Sequence, residues 1–478
     1  GSRPECLSLP QLFRILMGNT VSQPVVYPEN EAEVLELARW AARGKIALFP
    51  RGGGSSRSGA SVPADMGIII DFSRMRRILA VDSEKQTVTV EPGINWGDLE
   101  RELSLKGLAL RLIPARGLLS TAGGSVAQAS YGEGSWEFGG MADTVVRVRL
   151  ALPGGSVKEL SGESLELVCG AEGTTGLITE ITLRARRFEI MEHAAAVFPE
   201  AGLLGTFFSA CLARRLPLWS AGFMNSEALA FQRAACRPTE EGGRAGKPPR
   251  LNAGSPAFTT ILSFRLSDGP VVKAAVRELA AVSGGVCLDE FPGEWKIPFS
   301  GRVDLKKLRL APIPVAVAVP LEKTGEVLNA LERQISRLII HRGVIVRGGK
   351  DGRPETAVFG QAFSDRCAFS RHLAFGLVLT AVKVAEKQGG RALESGLLFT
   401  HRIGRILGED RVSRMRDFKW DVDPGGILNP GKVFEESLVS RGLSQLGPGE
   451  IPIRMFGNVA VRRAMARVTG SRAAGDPS

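Results

Sequence analysis

Three short segments crowded with glycine and hydroxyl side chains constrain this chain more than any other feature: Arg51-Gly-Gly-Gly-Ser-Ser-Arg-Ser-Gly59, Pro114-Ala-Arg-Gly-Leu-Leu-Ser-Thr-Ala-Gly-Gly-Ser-Val-Ala127 and Gly170-Ala-Glu-Gly-Thr-Thr-Gly-Leu-Ile-Thr-Glu-Ile-Thr-Leu183. Glycine numbers 57 in 478 residues with no Gly-X-Y period, so the surplus belongs to particular loops. The first segment follows the apolar run Ala47-Leu48-Phe49-Pro50, so a strand runs straight into a glycine loop. The usual nucleotide templates fail there. Arg57 replaces the third glycine of G-x-G-x-x-G and no crossover helix follows. At the nearest P-loop candidate, Gly246-Lys247 is followed by Pro248, and Glu241 stands where the leading glycine belongs. What survives is a set of exposed backbone N–H groups at Gly52, Gly53, Gly54 and Gly59, with hydroxyls at Ser55, Ser56 and Ser58 and charge at Arg51 and Arg57. Read alone, this loop is either an anion nest or an ordinary glycine-rich turn; the second and third segments favour the nest.

Charge and composition narrow the classes. Lys and Arg total 61 against 50 Asp and Glu, a net +11, which suits solubility, an acidic partner or an anionic cofactor. A basic, aromatic-interleaved stripe is absent and Tyr occurs twice, so nucleic acid is not expected. No window approaches the roughly 18 apolar residues of a membrane helix. Gly1-Ser2 looks like an expression remnant, and no signal-peptide layout follows, so a cytoplasmic location is expected, with any membrane association made through a partner. Six dispersed cysteines lack a C-x-x-C pair, and the four histidines (His193, His341, His372, His401) are far apart, so no metal site is expected.

Residues 1–187 read as one α+β unit. Asn30 caps a helix whose face carries Val34, Leu35 and Leu37 and which Gly44 ends; a second helix spans Asn95–Lys106; strands are expected at 67–71, 78–81, 87–90, 145–152, 156–160 and 177–184. Residues 188–395 repeat strand then helix four times: 194–198 with 201–214, 259–264 with 269–282, 315–320 with 321–338, and 356–363 with 370–387. That pattern predicts an antiparallel sheet with helices on one face. A Gly/Pro/charge-rich loop is expected over 237–254, loop and short-helix texture over 396–434, and a basic, partner-binding or flexible tail over 435–478.

The three segments, together with Asp71-Phe-Ser-Arg-Met75, Glu91-Pro-Gly93 and Asp423-Pro-Gly-Gly-Ile-Leu-Asn-Pro-Gly-Lys-Val-Phe434, resemble in order and spacing the vanillyl-alcohol oxidase / p-cresol methylhydroxylase superfamily. Within it they are most similar to the branch of glycolate oxidase flavin subunits and D-lactate dehydrogenases. The resemblance implies an α+β fold: a two-subdomain FAD-binding domain of the p-cresol methylhydroxylase type and an antiparallel-sheet cap domain. It also implies FAD contacts at Arg51, Gly52, Gly53, Gly54, Ser55, Ser56, Gly59, Thr121, Gly123, Gly124, Ser125, Ala127, Gly173, Gly176, Ile178 and Asn429. Relatives with covalent flavin carry His or Cys in or near the first two segments; residues 50–60 and 114–132 have neither, so the FAD is expected to be non-covalent.

The chain departs from that pattern where hydroxy-acid oxidising members carry a histidine pair for metal and substrate. Here the comparable stretch, Val344-Ile-Val-Arg-Gly-Gly-Lys-Asp-Gly-Arg-Pro-Glu-Thr-Ala357, has no histidine, and Glu394-Ser-Gly-Leu-Leu-Phe-Thr-His-Arg-Ile-Gly404 breaks the Glu-His of the downstream motif. His401 then becomes the candidate base for removing an alcohol proton, and Arg342 and Arg402 the candidate carboxylate clamps; each also reads as a packing histidine or a solvated arginine. Two functions remain open: an FAD-linked dehydrogenase of a small organic acid, or an electron-transfer subunit with a degenerate substrate site. In both, an iron–sulfur protein or electron-transferring flavoprotein is the expected partner.

Overall fold

The structure, a computed structural model, describes residues 23–56, 58–115, 117–118, 120–229, 258–289, 311–335, 339–349, 352–364 and 368–435. Arg57, the 237–254 loop, the tail beyond Glu435 and the side chains of His341 and His372 lie outside the described residues. Among the described residues no helix is long and apolar enough to cross a membrane. The described residues divide into two compact units, one formed by those within 23–132, 138–189 and 392–435, the other by those within 133–137 and 190–391.

The first unit carries two sheets. A parallel sheet of order β1-β3-β2 is built from β1 (Val25–Val26), β2 (Ala47–Arg51) and β3 (Gly67–Asp71). Against it lies α1 (Glu31–Gly44), whose Val34, Ala38 and Ala41 pack with Leu48, Ile68 and Ile70. Asn30 starts α1: its Oδ1 accepts the Glu33 N–H at 3.0 Å, a cap worth about 1 kcal/mol. The helix ends one residue later than the sequence suggested, because Lys45, not Gly44, adopts the left-handed conformation at φ 50°. The buried stripe also differs: Ala38 and Ala41 fill the interface, while Leu35 and Leu37 are half-buried beside it.

The second, antiparallel sheet has order β10-β9-β11-β5-β4, from β4 (Ile78–Asp82), β5 (Thr87–Val90), β9 (Val145–Ala151), β10 (Val157–Ser161) and β11 (Leu177–Arg187), with β6 (Leu108–Leu110) on the far end of β11. Its core packs α2 (Trp96–Ser104) through Trp96, Leu99 and Leu103. The short helix α3 (Ala122–Ala127) lies between the two paired strands β7 (Ile113–Pro114) and β8 (Gly132–Glu133), and the short helices α4 (Ser135–Phe138) and α5 (Met141–Thr144) follow β8.

The second unit is an eight-stranded sheet of order β15-β12-β14-β13-β17-β18-β16-β19. Its strands are β12 (Met191–Phe198), β13 (Leu218–Asn225), β14 (Phe258–Arg265), β15 (Val286–Cys287), β16 (Ala311–Pro320), β17 (Ile339–Val346), β18 (Glu355–Ser364) and β19 (Arg391–Ala392). Four helices, α6 (Gly202–Ala213), α7 (Gly269–Val282), α8 (Thr324–Gln334) and α9 (Ala368–Lys387), touch one another in the order α7-α6-α8-α9, as a single layer does. Phe207 and Phe208 of α6 stack on Phe198 and Phe223 of the sheet. The antiparallel sheet is as expected, but β13, β15 and β17 are additional strands between the expected strand–helix pairs, and β19 is added after the last.

The chain returns to the first unit through α10 (Ile403–Leu407) and α11 (Glu409–Val422). The fourteen-residue α11 corrects the expectation of loop and short-helix texture. It buries only Val412, Met415 and the stem of Lys419, so its apolar stripe is too thin to be read as a helix from the sequence. Beyond it the Leu48 N–H donates to Ile427 O and the Asn429 N–H to Leu48 O, both at 2.8 Å, so the last described segment lies along β2 as a parallel bridge.

Candidate functional site

The three glycine segments converge inside the first unit on one cleft of about 800 Å³, part of it open to solvent. Arg51, Gly52, Gly53, Gly54, Ser55 and Ser56 line it from the loop after β2, Thr121, Gly123, Gly124, Ser125 and Ala127 from α3 and its cap, and Gly173, Gly176 and Ile178 from the run into β11. Gly59 and Asn429 do not line it. Gly59 packs on Leu397, and Asn429, buried, donates from Nδ2 to the Glu172 carbonyl at 2.6 Å. Sequence reasoning missed Ser61, Gln128 and Glu172 as lining residues.

The donors differ from the expected set in an instructive way. On α3 the amides serve the fold: Ala122 N–H goes to Ile94 O, Gly123 N–H to Pro92 O, Ser125 N–H to Thr121 O, and Gly124 N–H reaches the Thr121 hydroxyl at 3.4 Å. The guanidinium of Arg51 is likewise engaged, its Nε donating to Asp71 at 2.9 Å while the other Asp71 oxygen accepts the Ser73 N–H. By contrast, among the described residues no acceptor takes the N–H of Gly53, Gly54, Ser56 or Gly173. Buried Ser61 Oγ also lacks a partner. Ser125 Oγ accepts the Trp96 indole N–H at 2.9 Å and keeps its own proton to donate. A cleft presenting fixed amide and hydroxyl donors suits a polyanionic dinucleotide held by backbone dipoles.

The catalytic candidates are distributed over both units. His401 and Arg402 share a half-buried turn before α10 in the first unit, and Arg402 Nε donates to His401 Nε2 at 3.0 Å. Just upstream, Ser395 and Thr400 are buried with hydroxyl oxygens that have no partner among the described residues. Arg342 belongs to β17 in the second unit and forms an ion pair with Glu133 at 2.9 Å. Among the described residues no three His, Cys, Asp or Glu side chains converge as metal ligands do.

Residues 22–161 match the FAD binding domain family. The chain is similar to the cytochrome-type D-lactate dehydrogenase of Arabidopsis thaliana mitochondria, with 25% identity over 436 residues, covering 86% of this chain and 73% of that one. It is also similar to glycolate oxidase subunit GlcD of Bacillus subtilis, at 30% over 169 residues, 34% of this chain and 36% of that one. Two solved structures share the fold: alkyldihydroxyacetonephosphate synthase, with TM-score 0.68 and 20% identity over 88% of this chain and 78% of that one, and substrate-bound p-cresol methylhydroxylase, with TM-score 0.67 and 15% identity over 89% and 96%.

Proposed function

We propose that this chain, an FAD-linked oxidoreductase of the vanillyl-alcohol oxidase / p-cresol methylhydroxylase superfamily and of the D-lactate dehydrogenase and glycolate oxidase type, oxidises a small 2-hydroxy acid and passes the electrons to a protein or quinone acceptor. The observation that carries this reading is the cleft whose amides at Gly53, Gly54, Ser56 and Gly173 have no internal acceptor. These residues, with Ser61 and Ser125, hold the FAD. When bound, the cofactor supplies the hydride-accepting ring. Among the described residues that line the cleft there is no His, Cys or Tyr, which supports a non-covalent cofactor.

The remaining tasks fall to the chain. A 2-hydroxy acid presents a carboxylate to be clamped and a hydroxyl proton to be taken. The Arg402 guanidinium, which here donates to His401 Nε2, is the clamp. A substrate carboxylate that draws Arg402 onto itself removes this donor from His401 Nε2, the nitrogen proposed to take the hydroxyl proton. Ser395 and Thr400, whose buried hydroxyls lack partners, flank that position in the chain. Metal has no role in this scheme: turnover is expected to survive chelation, and restoration of chelated activity by zinc or manganese would contradict it. A protein acceptor is supported by the relatives, one a cytochrome-type dehydrogenase and one a subunit of a larger oxidase; an iron–sulfur protein or electron-transferring flavoprotein has the matching chemistry. Nothing in the geometry favours the electron-transfer subunit over the enzyme.

The test is anaerobic addition of a panel of 2-hydroxy acids, D-lactate and glycolate among them, to the purified yellow protein. Bleaching of the flavin bands by one acid supports the reading. A panel that leaves the bands intact while a reduced iron–sulfur partner bleaches them would replace it with the electron-transfer function.

A further inference from the structure

The segment that returns to the cleft does so from behind, and its contacts are with carbonyl groups. The Leu397 N–H donates to Ser58 O at 3.0 Å, buried Lys432 donates from Nζ to Gly59 O, and Asn429 Nδ2 donates to Glu172 O at 2.6 Å. The last contact acts on an unusual stretch of backbone. Glu172 has φ 51° and Gly173 φ 76°, two successive left-handed residues, the first not a glycine. Such a conformation persists only where surrounding contacts over-determine it. Here three do: Glu172 N–H to Ala127 O at 2.9 Å, Gly396 N–H to Glu172 Oε1 at 2.8 Å, and the Asn429 amide on Glu172 O. A Cβ on residue 173 would lie 2.5 Å from Pro50, so the loop sits tightly against the strand that opens the first glycine segment.

In a trans peptide the C=O and the following N–H point in opposite directions. No described peptide is cis. The Glu172 carbonyl is tied to Asn429, which is off the cleft; the Gly173 N–H, on the other side of the same plane, has no internal acceptor and belongs to a residue that lines the cleft. We infer that Asn429 is a positioning residue: it holds the Glu172–Gly173 peptide in the orientation that presents the Gly173 N–H to the FAD. The inference rests on the reading of the cleft as the FAD site. Asn suits the position twice over, tolerating its own φ of 43° and offering a side-chain donor, which Asp and Gly lack.

The test titrates FAD into apo-protein of the wild type and of Asn429→Gly and Asn429→Asp. Glycine keeps the left-handed backbone and removes the donor; aspartate keeps the shape and offers only acceptors. Both are expected to weaken FAD binding by about ten-fold, the usual effect of losing one hydrogen bond to a charged group. A second readout separates positioning from general support. In protein labelled at glutamate carbonyls and glycine nitrogens, the Gly173 amide proton should shift downfield on FAD addition in the wild type and fail to do so in either variant. FAD affinity within two-fold of wild type in a folded variant, or an unaltered Gly173 shift, overturns the inference. Gly53→Val is the companion: if it abolishes FAD binding while Asn429→Gly does not, this inference alone fails, and if it binds FAD fully, the cleft reading fails with it.

Discussion

At the scale of single residues, FAD binding depends on which donors are free and which are committed. Arg51 and the α3 amides carry the right chemistry in the sequence, yet Asp71, Pro92 and Ile94 consume them in the fold. A sequence lists hydrogen-bonding groups and does not say which of them the fold has already used, so the loop at Gly53–Ser56 could be recognised while its active donors could not be sorted from the rest. Ser61 escaped notice for the related reason that its significance lies in being buried without a partner. His401 was visible as a base, but its hydrogen bond from Arg402 was not, because neighbouring residues in a tight turn have no pattern that predicts their contact. Two outcomes follow from that pair. His401→Gln is expected to slow flavin reduction by substrate roughly 10²–10⁴-fold, the worth of a positioned general base, with FAD content unchanged. A loss below about three-fold in rapid-mixing experiments would remove it from the catalytic set. Arg402→Leu is expected to raise KM for the acid about ten-fold or more, as loss of a carboxylate clamp does; an unchanged KM would assign the carboxylate to another group.

At the scale of elements, α1 is joined to the antiparallel sheet by Glu31, whose carboxylate receives Arg149 of β9 at 2.8 Å and the Thr179 hydroxyl of β11 at 2.6 Å. The hydrogen bond from Arg149, first, and that from Thr179 hold the Glu31 carboxyl below its ordinary value, with burial opposing. A depressed carboxylate stabilises the fold above the unfolded value near 4.5, and that contribution is lost as the pH falls through the lower folded value. Glu31→Gln should therefore melt below the wild type at pH 7, by the equivalent of about 0.5–1 kcal/mol for a half-exposed pair, and the difference should close as the pH drops below 4.5. A gap that persists in acid would assign the effect to packing. Helices with a clean start signal were legible: Asn30 caps as the sequence suggests, and the helix expected over Asn95–Lys106 is present, with Asn95 as its cap and not its first turn. Strands β13 and β17 were not. Each is interrupted by a glycine, Gly222 and Gly343, which weakens local strand propensity. A Cβ on residue 343 would lie 2.3 Å from the Phe223 ring, so that glycine exists to let an aromatic side chain of β13 cross the neighbouring strand. Only the pairing explains the residue, and the pairing is tertiary.

At the scale of the whole molecule, the resemblance that could be recognised in the sequence concerned the first unit and the return segment, and the cleft lies wholly within that unit. Substrate identity was not legible, because the sequence departs from the hydroxy-acid pattern at 344–357 and 394–404. FAD binds the folded chain and should stabilise it by mass action, about 2.7 kcal/mol at a hundred-fold excess over Kd. Hydrogen exchange on FAD addition should accordingly slow first at Gly53, Gly54, Ser56 and Gly173, the residues whose amides are proposed to meet the ligand, and protection confined to the second unit would contradict the site. The most direct measurement of the central claim, that fixed backbone donors of this cleft hold FAD without a covalent bond, is flavin content after acid precipitation of the wild type and of Gly53→Val. The expected result is a yellow wild-type protein that releases all of its FAD into the supernatant, and a folded, colourless Gly53→Val protein, since a branched side chain there occupies the space in which the ligand approaches the backbone. Flavin retained in the wild-type pellet, or a Gly53→Val protein with full FAD content, would contradict it.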